Sequence, residues 1–203
     1  MHINLKRLGI SFLIALIICV SASVSGFEAK CEDLRDNVLR LHILANSDSE
    51  SDQALKLKVR DAVLESGVVS FEKCTNLSEA KKTAEDAIGK IEKIAKKTIT
   101  EAGFNYSVEV KVDKSYFNTR VYDDFTLPAG VYDALIVKIG KAEGKNWWCV
   151  MFPSLCVSAA GGEELNDYVE KGTAKIALQP QKFQIRFKTV EIYEEIKKFL
   201  SNK

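Results

Sequence analysis

Residues 77–102 carry an apolar stripe that constrains the fold more than any other feature of this chain. Apolar side chains recur every three or four positions from Leu77 to Ala102, on one face of a helix. Asn76 or Ser78 fits the start of this helix as an N-cap, and Gly103 fits its end. A long helix that is apolar on one side only has to pack on another surface, so the sequence predicts a second layer.

Four segments that follow this helix have the pattern of strands. The alternating segment "YSVEVKVD" and the apolar segment "SYFNTRVY" predict a hairpin, since only a minimal turn separates them. The segments "VYDALIVKIG" and "NWWCVMF", joined by the turn "KAEGK", supply the next two strands. We therefore expect an α+β fold in which two long helices pack on one face of an antiparallel meander sheet.

The first of the two helices is predicted over Glu50–Glu65, after a strand over Val38–Leu44. The intervening "ANSDSESDQ" is rich in residues that cap helix N-termini. Near the end of the chain, "QKFQIRFKTV" predicts a last strand and "EIYEEIKKFL" a C-terminal helix. The inward row of that strand would be Phe183, Ile185 and Phe187. These elements define a single α+β domain over residues 30–203.

Residues 1–26 have the organisation of a signal peptide. Lys6 and Arg7 precede the apolar block "LGISFLIALIICV", and small residues follow in "SASVSG". This apolar block is shorter than the roughly 20 residues that a membrane-spanning helix needs. We expect cleavage between Ala22 and Gly26 and export of the rest of the chain. Retention of the segment as an uncleaved anchor is the alternative.

The charge balance gives no sign of a nucleic-acid partner. Lys and Arg total 29 against 28 Asp and Glu, so the chain lacks the basic excess of nucleic-acid-binding proteins. The lysines of "KKTAEDAIGKIEKIAKK" alternate with acids and small residues, which is typical of a solvated helix face. We expect no nucleic acid, no small-molecule substrate and no cofactor.

Four cysteines remain when Cys19 is set aside with the signal peptide. Export places them where disulfides persist, and four cysteines permit three complete pairings. Proximity in the sequence favours Cys149 with Cys156, whereas the state of Cys31 and Cys74 stays open.

Residue sets for catalysis or metal binding are weak in this sequence. His42 is the only histidine beyond the signal peptide, and a Cys/His nucleophile needs a thiolate beside an imidazole. Asp48 and Asp52 stand at the predicted start of a helix, where carboxylates complement the positive helix end. The cysteines lack the two close pairs that are common in zinc sites. We expect neither an enzyme nor a metal site. The alternative is an exported envelope or cell-wall hydrolase that uses His42, Asp48 and Asp52.

The stretch "KNWWCVMFPSLC" combines features of a recognition surface. Trp147 and Trp148 point to opposite faces of a regular strand, and Pro153 restricts the loop that follows. An exposed Trp beside a rigid loop is typical of interface anchors. Burial of both rings in the core is the alternative.

Two blocks, "HILANSDSESDQALKLKVRDAVL" and "LPAGVYDALIVKIGKAEGKNWWCVMFPSLC", closely resemble the stage II sporulation protein R family of endospore-forming bacteria. The resemblance implies a signalling protein that is made in the forespore and exported into the intermembrane space facing the mother cell. There it would activate a membrane-embedded aspartic protease, the sporulation sigma-factor processing peptidase. That peptidase cleaves the precursor of the mother-cell sigma factor.

Within these blocks, we expect partner-binding residues in the polar strand-to-helix turn and along the tryptophan strand with its loop. The set is His42, Asn46, Ser47, Asp48, Asp52, Gln53, Trp147, Trp148 and Pro153. Ser154 stands where the family often has a second proline, which loosens the loop slightly.

Overall fold

The computed structural model describes residues 5–122, 125–153, 165 and 167–201. Its helices and strands follow one another along the chain in a mixed α+β order. They are α1 Leu5–Asp36, β1 Leu39–Leu44, α2 Glu50–Glu65, α3 Leu77–Glu101, β2 Val108–Phe117, β3 Arg120–Val121, β4 Thr126–Leu127, β5 Gly130–Ile139, β6 Asn146–Phe152, α4 Lys171–Leu178, a short 3-10 turn Pro180–Lys182 and α5 Gln184–Ser201.

The main sheet is mixed, so the predicted antiparallel meander is wrong. Its strands lie in the order β2-β5-β1-β6. Strand β1 pairs parallel with β5 and antiparallel with β6, which separates the two strands that the sequence predicts as neighbours. The physical reason is burial: Leu39, Leu41 and Ile43 of β1 are fully buried, which suits a strand at the centre of a sheet.

The predicted hairpin after Val112 is also absent from the described sheet. Strand β2 continues without a break to Phe117 and pairs residue by residue with β5. Lys114, where the sequence predicts the minimal turn after Asp113, stays in this edge strand, and its charged side chain reaches solvent. Lys114 lies 3.6 Å from the carboxylate of Asp133 on the neighbouring strand. The chain reverses later, in the short pair β3–β4.

Helices α2 and α3 cover one face of the sheet. The small residues Ala80, Ala84 and Ala95 of α3 are buried and allow the helix to approach the sheet closely, while Ile91 and Ile99 fill the space between them. Burying each such Ile contributes about 1.5–3 kcal/mol relative to exposure. The buried sheet residues in the same cluster are Leu39, Leu41, Ile43, Val110, Leu135, Val137, Ile139, Cys149, Met151 and Phe152.

The opposite face of the sheet is covered too, which differs from the predicted one-sided packing. The end of α1 and helix α4 pack there against side chains that alternate with the first row. Phe117, Tyr132, Ile136 and Val150 belong to this second core. The sequence places α4 in a segment without clear periodicity; residues 154–164 and 166, nearby in the chain, lie outside the described residues.

The end of α1 is fixed by an arginine that fits against a glycine. Arg35 donates from Nη1 to the carbonyl of Ala129 at 3.0 Å and pairs with Glu28 within α1. Gly130 has φ +147, and a Cβ on it would lie 2.5 Å from Cδ of Arg35. The "LPAG" motif therefore supplies the space in which the Arg35 side chain lies.

Residues predicted as the last strand form the 3-10 turn and the start of α5. Phe187 and Val190 are buried with Phe27, and Phe183 packs against them. A strand would have placed Ile185 on the same side as Phe183 and Phe187, but Ile185 is 84% exposed. The spacing of four and then three residues from Phe183 to Val190 is helical, and it is this set that meets α1.

Helix α1 continues through the region where the sequence predicts cleavage of a signal peptide. Before Phe27, the side chains of α1 that the structure describes are exposed, and from Phe27 onwards the helix joins the domain. Among the described helices, none is long and apolar enough to cross a membrane. The signal peptide stays a prediction from the sequence.

The N-cap of α3 gives a test of how this helix begins. Glu79 donates its backbone N–H to Oδ1 of Asn76 at 3.0 Å. We predict that Asn76→Ala lowers the free energy of unfolding by about 1 kcal/mol, because the helix loses this hydrogen bond. Ser78→Ala, in the same exposed first turn, is the matched control and should change it by less than about 0.5 kcal/mol. Urea unfolding measures both; equal losses would contradict the assignment of Asn76 as the cap.

Candidate functional site

The turn between β1 and α2 is organised around the carboxylate of Asp52. Ser49 caps α2 by accepting the backbone N–H of Asp52 at 3.2 Å. Asn46 and Ser47 then donate to Oδ2 of Asp52 at 2.8 and 2.6 Å. Asp52 is only 3% exposed, so these residues of the first family-like block hold the turn from inside.

The same turn is hydrogen-bonded to the hairpin between β5 and β6. Lys141 donates its backbone N–H to Oδ1 of Asn46 at 3.0 Å, and Gly144 donates to the carbonyl of Ala45 at 3.0 Å. The backbone N–H of Lys145 donates to Oδ1 of Asp48 at 2.6 Å. We call this set of contacts between residues 45–48 and 140–145 the turn–hairpin lock. It joins the two family-like blocks at one end of the sheet.

Lys56 extends the lock from helix α2. Its ammonium donates to the carbonyl of Lys145 at 3.0 Å and to Oε1 of Gln53 at 2.6 Å. Gln53 in turn donates to the carbonyl of Ser47 at 2.8 Å. Lys56 is only 4% exposed, although lysine side chains are rarely buried in proteins. Burial lowers its pKa, and the charge of Asp48 opposes that shift.

Two glycines let the hairpin approach the turn. Gly140 has φ +58, and a Cβ there would overlap the side chain of Asn46. A Cβ on Gly144 would overlap the backbone carbonyl of Ser47, which has no freedom to rotate away. Both positions therefore require glycine for the lock to close.

Two opposing effects set the pKa of Asp52. Burial acts to raise the pKa of this carboxyl group, but hydrogen bonds from Ser47 and Asn46 outweigh it and hold the pKa below its usual value. The ionised form is therefore the one that the lock stabilises. Oδ2 of Asp52 is engaged by the turn and Oδ1 is buried, so this carboxylate acts as a structural acceptor inside the domain.

The two tryptophans lie on opposite faces of β6, as the sequence predicts. Trp147 faces α2, where the guanidinium of Arg60 lies 4.3 Å from its ring centroid. Trp148 faces the second core, where the guanidinium of Arg120 lies 3.7 Å from its ring. Both rings are half-buried. Neither indole N–H has a hydrogen-bond acceptor within the part of the chain that the structure describes. Each face of β6 thus presents an arginine–tryptophan stack.

His42 lies on the Trp148 side of the sheet and is not one of the lock residues. Its Nδ1 is 3.1 Å from Oγ of Ser115, and its ring lies among Phe117 and Trp148. Burial lowers the pKa of His42, which keeps the imidazole neutral near pH 7. Since Asp48 and Asp52 belong to the turn, the three candidate hydrolase residues do not form one group.

Arg40 is a buried cation that the sequence reasoning missed. It is fully buried, with its guanidinium 4.0 Å from the ring of Phe117 and 4.9 Å from that of Tyr132. Its Nη2 donates to the hydroxyl of Tyr122 at 2.7 Å. Alternation along β1 does place Arg40 and His42 on the same face of the sheet. Polar residues at alternate positions of a strand, however, normally indicate a face that is exposed to solvent. Only the long-range packing of β2 and β5 reveals an aromatic enclosure there.

Pro153 lies at the far end of β6 from the lock. The strand starts beside the lock at Asn146, which pairs with Leu44, and ends at Phe152, which pairs with Leu39. Six residues of strand correspond to roughly 20 Å. The structure therefore separates Pro153 from the polar turn, whereas Trp147 lies next to it.

The predicted disulfide falls partly outside the described residues, because Cys156 does. Cys149 is buried in the first core. Cys19, Cys31 and Cys74 are free thiols. Burial among apolar side chains raises the pKa of Cys31 to about 12, so its thiol is not a nucleophile near neutral pH. The pairing of Cys149 with Cys156 stays a prediction.

The two family-like blocks that the lock joins both lie within the range that matches a known family. Residues 35–161 match the stage II sporulation protein R family, and the chain belongs to that family. A relative from Bacillus subtilis strain 168, described as stage II sporulation protein R, is 39% identical over 141 residues. The matched part is 69% of this chain but 63% of the relative, so the chain spans less than two thirds of that protein. No solved structure matches.

Closure of the lock is tested by adding one methyl group. We predict that Gly144→Ala lowers the free energy of unfolding by about 2 kcal/mol or more, because its Cβ meets the backbone of Ser47. Gly89→Ala is the matched control: it lies in α3 with open space around it, and it should raise stability by about 1 kcal/mol. Urea unfolding gives both values. A neutral Gly144→Ala would show that the hairpin does not rest against the turn.

The pKa of Asp52 predicts how stability depends on pH. Its folded-state pKa lies below the unfolded value near 4. Ionised Asp52 therefore contributes to the free energy of unfolding at pH values above its unfolded-state pKa. This contribution is lost as the pH falls through the folded-state pKa. We predict that Asp52→Asn flattens the acid limb of the stability curve, whereas Asp86→Asn on the exposed side of α3 leaves it steep. Urea unfolding between pH 2 and 7 measures this; parallel curves for wild type and Asp52→Asn would refute the assignment.

Proposed function

We propose that this chain is an exported sporulation signal that activates a membrane-embedded aspartic protease. That protease is the peptidase that processes the precursor of the mother-cell sigma factor. The site of action is the intermembrane space between forespore and mother cell, and the chain acts by binding, without catalysis of its own. Membership of the stage II sporulation protein R family supports this role.

The observation that carries the proposal is the turn–hairpin lock. Polar side chains of the first block are hydrogen-bonded to the backbone of the second block. Asp48, for example, accepts from Lys145, which is 97 residues away in the chain. The two blocks that distinguish the family thus form one rigid body, which is what a recognition surface needs.

The proposed contact surface lies beside the lock, on the α2 side of β6. Trp147 and Arg60 are half-buried and stacked there. The exposed lock residues Asp48 and Lys145 lie beside them. An apolar ring with an arginine at its centre and a polar rim has the composition of an interface hot spot. Because the lock fixes the backbone on both sides, little conformational entropy is lost on binding.

Activation requires more than binding. The partner has to exist in an inactive and an active arrangement, and the surface around Trp147 has to bind the active one more tightly. A tenfold difference in affinity between the two arrangements corresponds to about 1.4 kcal/mol. One aromatic anchor, whose truncation costs about 2 kcal/mol or more at a hot spot, is sufficient for such a bias.

A disulfide between Cys149 and Cys156 is part of the proposal. The other three cysteines of the chain are free thiols, which leaves these two for each other. Closing so short a loop stabilises the fold by roughly 2–3 kcal/mol on the chain-entropy estimate. The bond would hold the end of β6 and the residues that follow Pro153.

Replacing Trp147 tests the proposed surface. We predict that Trp147→Ala abolishes processing of the sigma-factor precursor in sporulating cells while the protein is still secreted and folded. Tyr116→Ala is the matched control, because Tyr116 is also a half-buried aromatic but lies at the far end of the sheet, next to Val131. Processing at the wild-type rate in Trp147→Ala would refute the surface.

Trp148→Ala separates recognition from folding. Trp148 packs with Phe117 and Arg120 in the second core, so its loss should reduce both stability and processing. If Trp148→Ala abolishes processing at full stability while Trp147→Ala does not, the contact surface lies on the opposite face of β6.

A further inference from the structure

Helix α5 is apolar on two opposite faces. One face, with Phe187 and Val190, is buried against α1. The other face is turned to solvent, although Ile185, Ile192 and Ile196 lie on it with exposed fractions of 84%, 49% and 55%. A surface helix of an isolated domain normally has a polar outer face. The outer face of α5 is therefore a candidate contact surface.

The spacing of this outer face is that of a helix that pairs with another helix. Ile185, Thr189, Ile192 and Ile196 follow one another at four, three and four residues. This is the spacing of the core positions of a coiled coil, which form a narrow seam along one side of a helix. The seam lies opposite the buried residues Phe187 and Val190, and its four residues are exposed, so a second helix can reach it.

We propose that the seam binds α5 of a second copy of this chain, in antiparallel orientation. Antiparallel pairing that sets Ile185 against the partner's Ile196 also sets Thr189 against the partner's Ile192. A two-fold axis then relates the two helices, so every contact occurs twice. The isoleucine side chains of both seams become buried between the two helices.

Charges beside the seam fit this one register. Lys188 and Glu195 flank it on one side, and the register places Lys188 opposite the partner's Glu195. Arg186 and Tyr193 flank it on the other side, and the register places Arg186 opposite the partner's Tyr193. Both are attractive pairs, one ionic and one cation–π. A shift of one heptad would set Glu195 against the partner's Glu195, which is repulsive.

A second copy explains these residues better than a lipid surface does. Helices that lie on membranes carry mostly Lys and Arg along their polar flanks. The flanks of α5 carry Glu191 and Glu195 together with Lys188, and Lys188 already lies 3.1 Å from Glu191 within the helix. Alternation of both signs beside an apolar seam is the pattern that selects a protein helix as the partner.

The pairing is independent of the proposed signalling function. Helix α5 lies outside residues 35–161, which match the family. Loss of the pairing leaves the surface around Trp147 in place. Association is therefore measured on the purified chain, separately from sigma-factor processing.

Charge reversal tests the register directly, by sedimentation equilibrium of the full chain. We expect Lys188→Glu and Glu195→Lys each to weaken self-association roughly tenfold, because two attractive pairs become repulsive in the symmetric dimer. An equimolar mixture of the two variants should recover wild-type affinity, since the glutamate introduced in one variant then faces the lysine introduced in the other. Residues 5–26 are the same in all samples, so association through them is constant.

Two controls complete the experiment. Lys97→Glu makes the same charge change on α3, where Lys97 is exposed, and should leave association unchanged. Ile192→Asp should abolish association at unchanged helicity, whereas Val121→Asp, also at an exposed apolar residue, should not. A wild-type chain that stays monomeric at high micromolar concentration overturns the proposal. So does a mixture that associates no better than its components, which would point to lipid or another protein as the occupant.

Discussion

The fold depends on how strand β1 is held between β5 and β6, two strands that follow it only after helices α2 and α3 and strand β2. Main-chain pairing on both sides places β1 at the centre, parallel to β5 and antiparallel to β6. The pairing alone does not fix the end of β1, where the chain turns into α2. The turn–hairpin lock does so, by joining Asn46 and Asp48 to the backbone of the β5–β6 hairpin. Glycines at positions 140 and 144 allow that approach.

This constraint changes the meaning of the polar residues in the first block. Exposed acids and amides in a turn suggest contacts with a partner, but Asn46, Asp52 and Gln53 donate or accept within the domain. Their replacement would act through the position of β6, on which Trp147 lies. In the proposal, the residues that contact the partner protein directly are Trp147, Arg60 and the exposed residues of the lock. Recognition and folding are thus linked through one short stretch of backbone.

Local features of the fold were predictable from the sequence because they depend on neighbouring residues. Cap-forming residues before Glu50 and around Leu77 placed the starts of α2 and α3, and period two placed Trp147 and Trp148 on opposite faces. Strand order was not predictable, because alternation shows which face a residue takes but not which strand lies beside it. The apolar row around Phe187 fits both a strand and a helix, and only its packing on α1 decides between them.

The same limit applies to the candidate site. The position of Asp48 at a helix start is visible in the sequence, but its hydrogen bond to Lys145 spans the domain. The enclosure of Arg40 by aromatic rings likewise requires knowledge of which strands flank β1.

Hydrogen exchange of the Lys145 amide tests the lock most directly, because Lys145 is exposed and its N–H is held by Asp48. We predict slow exchange in the wild type and fast exchange of this amide, but not of Gly144, in Asp48→Ala. Fast exchange of Lys145 in the wild type would contradict the account.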